Sequence, residues 1–151
     1  MPSYTKAGTI PIRMKGRQIE ICFVTSRSRR AVYVLPKGTI GKKEKARQTA
    51  SRETFEEAGV EGRMLHPLKN GKKQKSIKIK TREYNAKYFI LLVDTIHKSW
   101  PEESMRDRKW MNAMALRRKY TIKRDRDLVR SMLKMKLKEA IFAAKAASSA
   151  A

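Results

Sequence analysis

The hydrophobic positions of this chain begin as short runs. Residues 7–12, 19–25 and 31–35 are apolar, with many β-branched side chains, which is the composition of strands. Pro11 marks the expected end of the first run, and Gly16 pivots the turn at residues 14–17. The period then changes. Residues 44–58 read as a helix, and Gly59 stands where a helix needs a left-handed residue to stop. Strand patterns return at residues 60–68. Residues 69–75 follow as a hairpin turn with Asn70-Gly71 at its tip. Ile and Lys alternate over residues 76–81, so Lys78 and Lys80 share one wet face. The longest apolar run, residues 84–96, predicts a central strand, and residues 106–111 a short one. A single basic C-terminal helix is expected over residues 124–145, with Leu128, Met132 and Met135 in its apolar stripe. Residues 146–151, all Ala and Ser, are expected to fray as a flexible tail. Strands, a helix, strands and a helix predict the α/β class, a mixed β-sheet packed with helices rather than alternating βαβ units.

Composition adds a strong bias to this picture. The 151 residues are 40% hydrophobic and 34% charged, ordinary for a globular chain, and one domain over residues 1–145 is expected. The balance of charge is not ordinary: 37 Lys and Arg against 14 Asp and Glu give a formal net charge of +23. The excess runs the whole length of the chain, so its partners should be polyanions: polyphosphorylated small molecules, RNA or an anionic surface. A single cysteine, Cys22, excludes an intrachain disulfide and sits where core residues sit. No apolar run approaches the ~20 residues of a membrane span and no leader pattern is evident, so a cytoplasmic protein is expected. No obligate protein partner is inferred.

One segment concentrates the acids. Of the five carboxylates in the first sixty residues, four lie within residues 38–60, GTIGKKEKARQTASRETFEEAGV. Glu53, Glu56 and Glu57 are spaced i, i+3 and i+4, which puts them on one helix face. Three carboxylates there repel unless a cation bridges them. An all-oxygen donor set selects a hard divalent ion, Mg²⁺ or Mn²⁺. Such ions neutralise phosphate oxygens and activate water.

With Gly38, Glu44, Arg52, Glu53, Glu56, Glu57, Gly59 and Val60 all at fixed spacing, this segment resembles the Nudix hydrolase signature. Thr54 departs from it, standing where the family prefers an aliphatic residue, and its hydroxyl then needs a partner. The resemblance implies an α/β/α sandwich, a metal held by Glu53, Glu56, Glu57 and the backbone near Gly38, and an Arg52 that orients the catalytic carboxylates. It implies a structural role for Glu44, paired with a base in the loop.

Residues 5–118 are similar to the diphosphoinositol polyphosphate and diadenosine polyphosphate hydrolases of that family. The similarity is carried by Ala7–Pro11, Ser26-Arg27, Val34–Gly38 and Trp100 with Glu102–Ser104. It implies hydrolysis of a phosphoanhydride in a highly phosphorylated substrate. Candidate substrate-binding residues are Arg13, Ser26, Arg27, Lys37, Lys78 and Lys80. The alternatives are an RNA 5′-pyrophosphohydrolase and a non-enzymatic polyanion-binding module. The intact acidic set argues against the module. Aromatics at 7% leave few stacking platforms for RNA bases.

Overall fold

The structure, a computed structural model, describes residues 4–150. Its frame is a mixed sheet in which β1 (Lys6–Lys15) lies between β2 (Gln18–Thr25), antiparallel, and β9 (Asn85–Ile96), parallel. β5 (Val60–Leu65) flanks β9, and β10 (Arg108–Asn112) flanks β2. Shorter strands add to this path. β3 (Tyr33–Val34) pairs with β2 and β4 (Lys37–Thr39) with β1. A two-stranded ribbon, β6 (Leu68–Lys69) and β7 (Lys72–Lys73), stands apart, and β8 (Ile77–Lys80) pairs with β9. The ribbon turns at Asn70 and Gly71 with φ of 54° and 77°, the two left-handed residues that a type I′ turn requires.

Alternation along the strands sends side chains to two cores. On one face Ile10, Ile12, Ile21, Phe23, Tyr88 and Ile90 are buried together with Leu128, Val129 and Met132 of α2 (Lys123–Leu133) and Leu137 and Ile141 of α3 (Leu137–Ala150). Each such side chain contributes roughly 1.5–3 kcal/mol of burial. On the other face Cys22, Val24 and Val60 gather with Ala58 of α1 (Ala46–Ala58). The expected α/β sandwich is therefore present, and Cys22 is a buried free thiol with its pKa pushed up to about 12 by that burial.

The structure corrects three expectations. The strand begun at residue 7 does not end at Pro11. β1 pairs with β4 through Lys6–Gly8 and with β2 only from Ile12, so Pro11 falls between the two partners and no ladder bond needs its missing N–H. The C-terminal helix is two helices, because the Leu68 carbonyl accepts the Lys136 N–H at 2.9 Å and turns the chain between Leu133 and Leu137. Residues 146–150, expected as a fraying tail, belong to α3, and Ala151 lies outside the described residues.

Candidate active site

The acidic helix α1 is held at both ends. At its start the Lys45 N–H donates to the Gln48 side chain at 2.8 Å. At its end Gly59, φ 66°, closes the last turn with its N–H on the Phe55 carbonyl. Carbonyls left over in that last turn are taken by the following loop. The Glu102 N–H donates to the Glu56 carbonyl at 2.9 Å, and the Trp100 indole N–H to the Glu57 carbonyl at 3.1 Å. Thr54, the departure from the motif, satisfies its hydroxyl on the Ala50 carbonyl and on Thr9, each at 2.7 Å.

Arg52 organises the acids around it. Its Nε and Nη2 donate to the two oxygens of Glu44, each at 2.8 Å, and its Nη1 donates to Glu53 at 3.0 Å and to Glu56 at 3.2 Å. The hydrogen bonds from Arg52 and Thr49 hold the Glu44 carboxyl down at about 2, and the same acids raise the Arg52 guanidinium above its ordinary value. Glu44 is thus paired with a base, as the resemblance implied, but that base is Arg52 on α1 and not one in the loop. The repulsion expected among the three helix carboxylates is relieved in part by Arg52. Among the described residues no three His, Cys, Asp or Glu side chains are gathered as a ready metal cage.

Gly38 is glycine for a reason other than backbone shape, since its φ is not among the left-handed ones. A Cβ there would overlap the Glu53 carboxyl carbon, so only glycine lets Glu53 lie against the β4 backbone. Glu57 is the buried member of the set, 5% exposed. It has two long contacts, the Lys37 N–H at 3.4 Å and Arg106 at 3.5 Å. Burial pushes its carboxyl up to about 8 against the pull of Arg106. Glu57 feels the charge of Glu53, and a buried carboxylate with so few partners is the kind of oxygen donor a hard divalent cation takes.

Glu57 reaches a cleft of about 410 Å³ lined by Ser26, Arg27, Arg29, Lys37, Arg106 and Arg124. Three of the expected substrate-binding residues, Ser26, Arg27 and Lys37, are there. Burial, then the charges of Arg124 and Lys6, lower the Lys37 ammonium. Arg13 is not part of this cleft: it is committed to Glu20 at 2.9 Å and stacks over Trp110 at 4.0 Å. Lys78 and Lys80 do alternate with half-buried Ile77 and Ile79, but they line other cavities, beside α2.

Sequence reasoning missed Arg106 and Arg124. Arg106 is fixed by Glu102 at 2.9 Å and by the Thr25 carbonyl at 2.9 Å. Arg124 donates to the Tyr84 hydroxyl at 2.6 Å and to buried Asp125 at 3.0 Å. In a chain with 37 basic residues neither stands out; the buried acid Asp125 at the start of a basic helix was the one available signal.

The loop–helix–loop, the sheet that carries it and the acidic set define a Nudix fold, and the family model for the NUDIX domain matches residues 4–132. The chain belongs to the Nudix family. It is 36% identical over 108 residues to Nudix hydrolase 21, chloroplastic, of Arabidopsis thaliana, a match covering 70% of this chain and 54% of that protein. Nudix hydrolase 17, mitochondrial, of the same plant is 33% identical over 117 residues, 73% of this chain and 63% of the relative. The chain therefore spans just over half to three-fifths of these relatives. Their organellar names lend the cytoplasmic expectation no support, and no described helix is long and apolar enough to cross a membrane.

Among solved structures, a C. elegans Ap4A hydrolase binary complex superposes with a TM-score of 0.61 at 19% identity, covering 84% of this chain and 94% of that one. A MutT structure from work on Aliivibrio salmonicida and Vibrio cholerae does so with 0.58 at 15%, covering 85% and 93%. Both likenesses concern the fold. Divalent metal ions are generally used by Nudix hydrolases.

Proposed function

We propose that this chain is a metal-dependent hydrolase of a phosphoanhydride bond in a highly phosphorylated small molecule, a diphosphoinositol polyphosphate or a diadenosine polyphosphate. The observation that carries this reading is the cleft: five cations line it, and Glu57 is its one acidic residue. Cations this close repel, and a compact polyanion relieves the repulsion of several at once. Packing of α2 and α3 on the sheet that carries the cleft supports one hydrolase domain over residues 1–145.

Glu53, Glu56 and Glu57, with the backbone at Gly38, would hold Mg²⁺ or Mn²⁺. When bound, such an ion neutralises phosphate oxygens and makes water a better nucleophile. Arg52 keeps Glu53 and Glu56 on one side of the helix. Lys37 and Arg106 flank Glu57 and meet the phosphates nearest the scissile bond, while Arg27, Arg29 and Arg124 take those further out.

The test of substrate class is a pair of steady-state curves. With Arg27→Ala and with Lys37→Ala, KM for a six-phosphate inositol pyrophosphate should rise about tenfold, ~1.4 kcal/mol of binding, and KM for a nucleoside triphosphate by clearly less. Both losses should shrink as salt shortens the Debye length. Equal losses for the two substrates would remove this preference and put RNA 5′ ends first.

Metal binding has its own readout. At about a hundredfold excess over Kd, an ion that binds only the folded chain adds ~2.7 kcal/mol. For a chain of this size that raises Tm by roughly 5–10 °C. A melting curve that ignores millimolar Mg²⁺, Mn²⁺ and chelator, with and without a non-hydrolysable substrate analogue, counts against the carboxylate site.

A further inference from the structure

A second concave surface lies outside the catalytic cleft. Edge strand β8 and helix α2 leave a groove made of two adjoining cavities of about 480 and 360 Å³, which share Ile77, Lys78 and Ser131. One end meets the catalytic cleft at Arg124, which lines both. The other end opens at the β6–β7 ribbon, where Lys69, Lys73 and Lys75 form the rim. Ile77, Ile79 and Met135, all half-buried, run along the lining as an apolar strip over the core residue Leu128. By strand and helix rise the groove is about 15 Å long.

Its charge is nearly all of one sign. Asp127 is the only acidic residue lining it, and Lys123 at 2.7 Å and Arg130 at 3.2 Å already occupy that carboxylate. The Lys123 hydrogen bond keeps the Asp127 carboxyl below its ordinary range. Among the described residues, Lys69, Lys73 and Lys75 make no ion pair. Three unpaired ammonium groups around one opening repel one another, and an extended polyanion removes that cost.

We propose that this groove binds single-stranded nucleic acid, whose phosphates meet the lysine rim while its bases lie on the apolar strip. The apolar strip selects among polyanions. An inositol phosphate or an inorganic polyphosphate has no apolar face to place on half-buried Ile77, Ile79 and Met135, whereas a nucleobase has. The surface is concave, which suits a strand and not a bilayer. No aromatic side chain lines the groove, so stacking is absent and binding is sequence-independent and salt-sensitive. The site does not depend on the hydrolytic reading, because it would bind a strand whether or not the chain cleaves one.

The experiment is fluorescence anisotropy of the full chain with a labelled oligouridylate of about twelve nucleotides carrying a 5′ hydroxyl, across about 50–200 mM salt. Lys69→Glu, Lys73→Glu and Lys75→Glu together should weaken binding at least about tenfold. They should also flatten the log–log salt slope by roughly 2, three contacts at ~0.7 each. A variant with the same charge change at exposed sites away from the groove, Lys15→Glu, Arg17→Glu and Lys98→Glu, should lose less than about threefold. Hydrolysis of diadenosine tetraphosphate and the melting curve should be unchanged in the groove variant, which separates this site from the catalytic one. The milder pair Lys73→Gln and Lys75→Gln repeats the test should the triple variant fold poorly. The proposal is overturned by wild-type chain that does not bind the strand. Equal losses in the two triple variants, or inorganic polyphosphate binding the groove where oligouridylate does not, would overturn it as well.

Discussion

Glu57→Gln should cut hydrolysis by about a hundredfold or more, ~2.7 kcal/mol of barrier, while the protein melts at or above the wild-type temperature. The two halves of this expectation have one cause. Glu57 is 5% exposed, and its carboxylate has only a 3.4 Å and a 3.5 Å contact to offset the loss of water. Burial raises that carboxyl to about 8, above its value in the unfolded chain, so at neutral pH it costs stability, and the isosteric amide removes that cost. Arg106 loses its long contact but keeps Glu102 and the Thr25 carbonyl. What the amide cannot supply is the negative charge that a divalent ion needs. Glu56→Gln should also lose activity, but with a different stability signature, since Glu56 is more exposed and its carboxylate is bonded to Arg52 at 3.2 Å. Steady-state rates at saturating Mg²⁺ and thermal melts check both variants. Retention of more than about a tenth of the wild-type rate by either one would remove that residue from the metal set.

Local spacing explains what the sequence could reveal. The segment from Gly38 to Val60 was legible because a helix turns i, i+3 and i+4 to one side whatever surrounds it, and Gly59 stops it for reasons internal to the backbone. Ser26, Arg27 and Lys37 were legible because they flank a short strand that enters the motif. Arg13 was not, because alternation does not say which partner register will bring. Only the pairing of Arg13 with Glu20 across β1 and β2 shows that its charge is taken. The break at Lys134–Lys136 was hidden for a similar reason. Leu137 and Ile141 continue the apolar stripe, so periodicity reads straight through a turn that is made by the distant Leu68 carbonyl. Arg106 and Arg124 became visible only once the loop after β9 and the start of α2 closed over Glu57.

Asp125→Ala should be the most destabilising single change near the cleft, lowering Tm by roughly 6–12 °C. Asp125 is fully buried at the start of α2, and burial raises its carboxyl while Arg124 and the Leu35 N–H pull it back. One oxygen accepts the Leu35 N–H at 2.9 Å; the other accepts Arg124 at 3.0 Å. Leu35 lies two residues before Lys37 and three before Gly38, so this one side chain ties α2 to the strand that enters the motif. Alanine leaves a buried N–H without an acceptor and Arg124 without its carboxylate. Breaking a buried pair costs about 3–5 kcal/mol. The Arg124 side chain is 22% exposed, which puts the expected loss at the low end, ~3 kcal/mol. Asp125→Asn keeps an acceptor for the Leu35 N–H but turns an NH2 donor toward the Arg124 Nε–H and so loses that hydrogen bond with the charge; its Tm should fall by less than in the Ala variant. Both variants free Arg124 from the orientation that points it at Tyr84 and the cleft. KM for the polyphosphorylated substrate should therefore rise in both, and in the Asn variant it should do so with the smaller loss of stability. Thermal melts and steady-state kinetics on the three proteins separate the two roles. An Ala variant melting within about 2 °C of wild type, less than ~1 kcal/mol, would mean that the tie carries no weight.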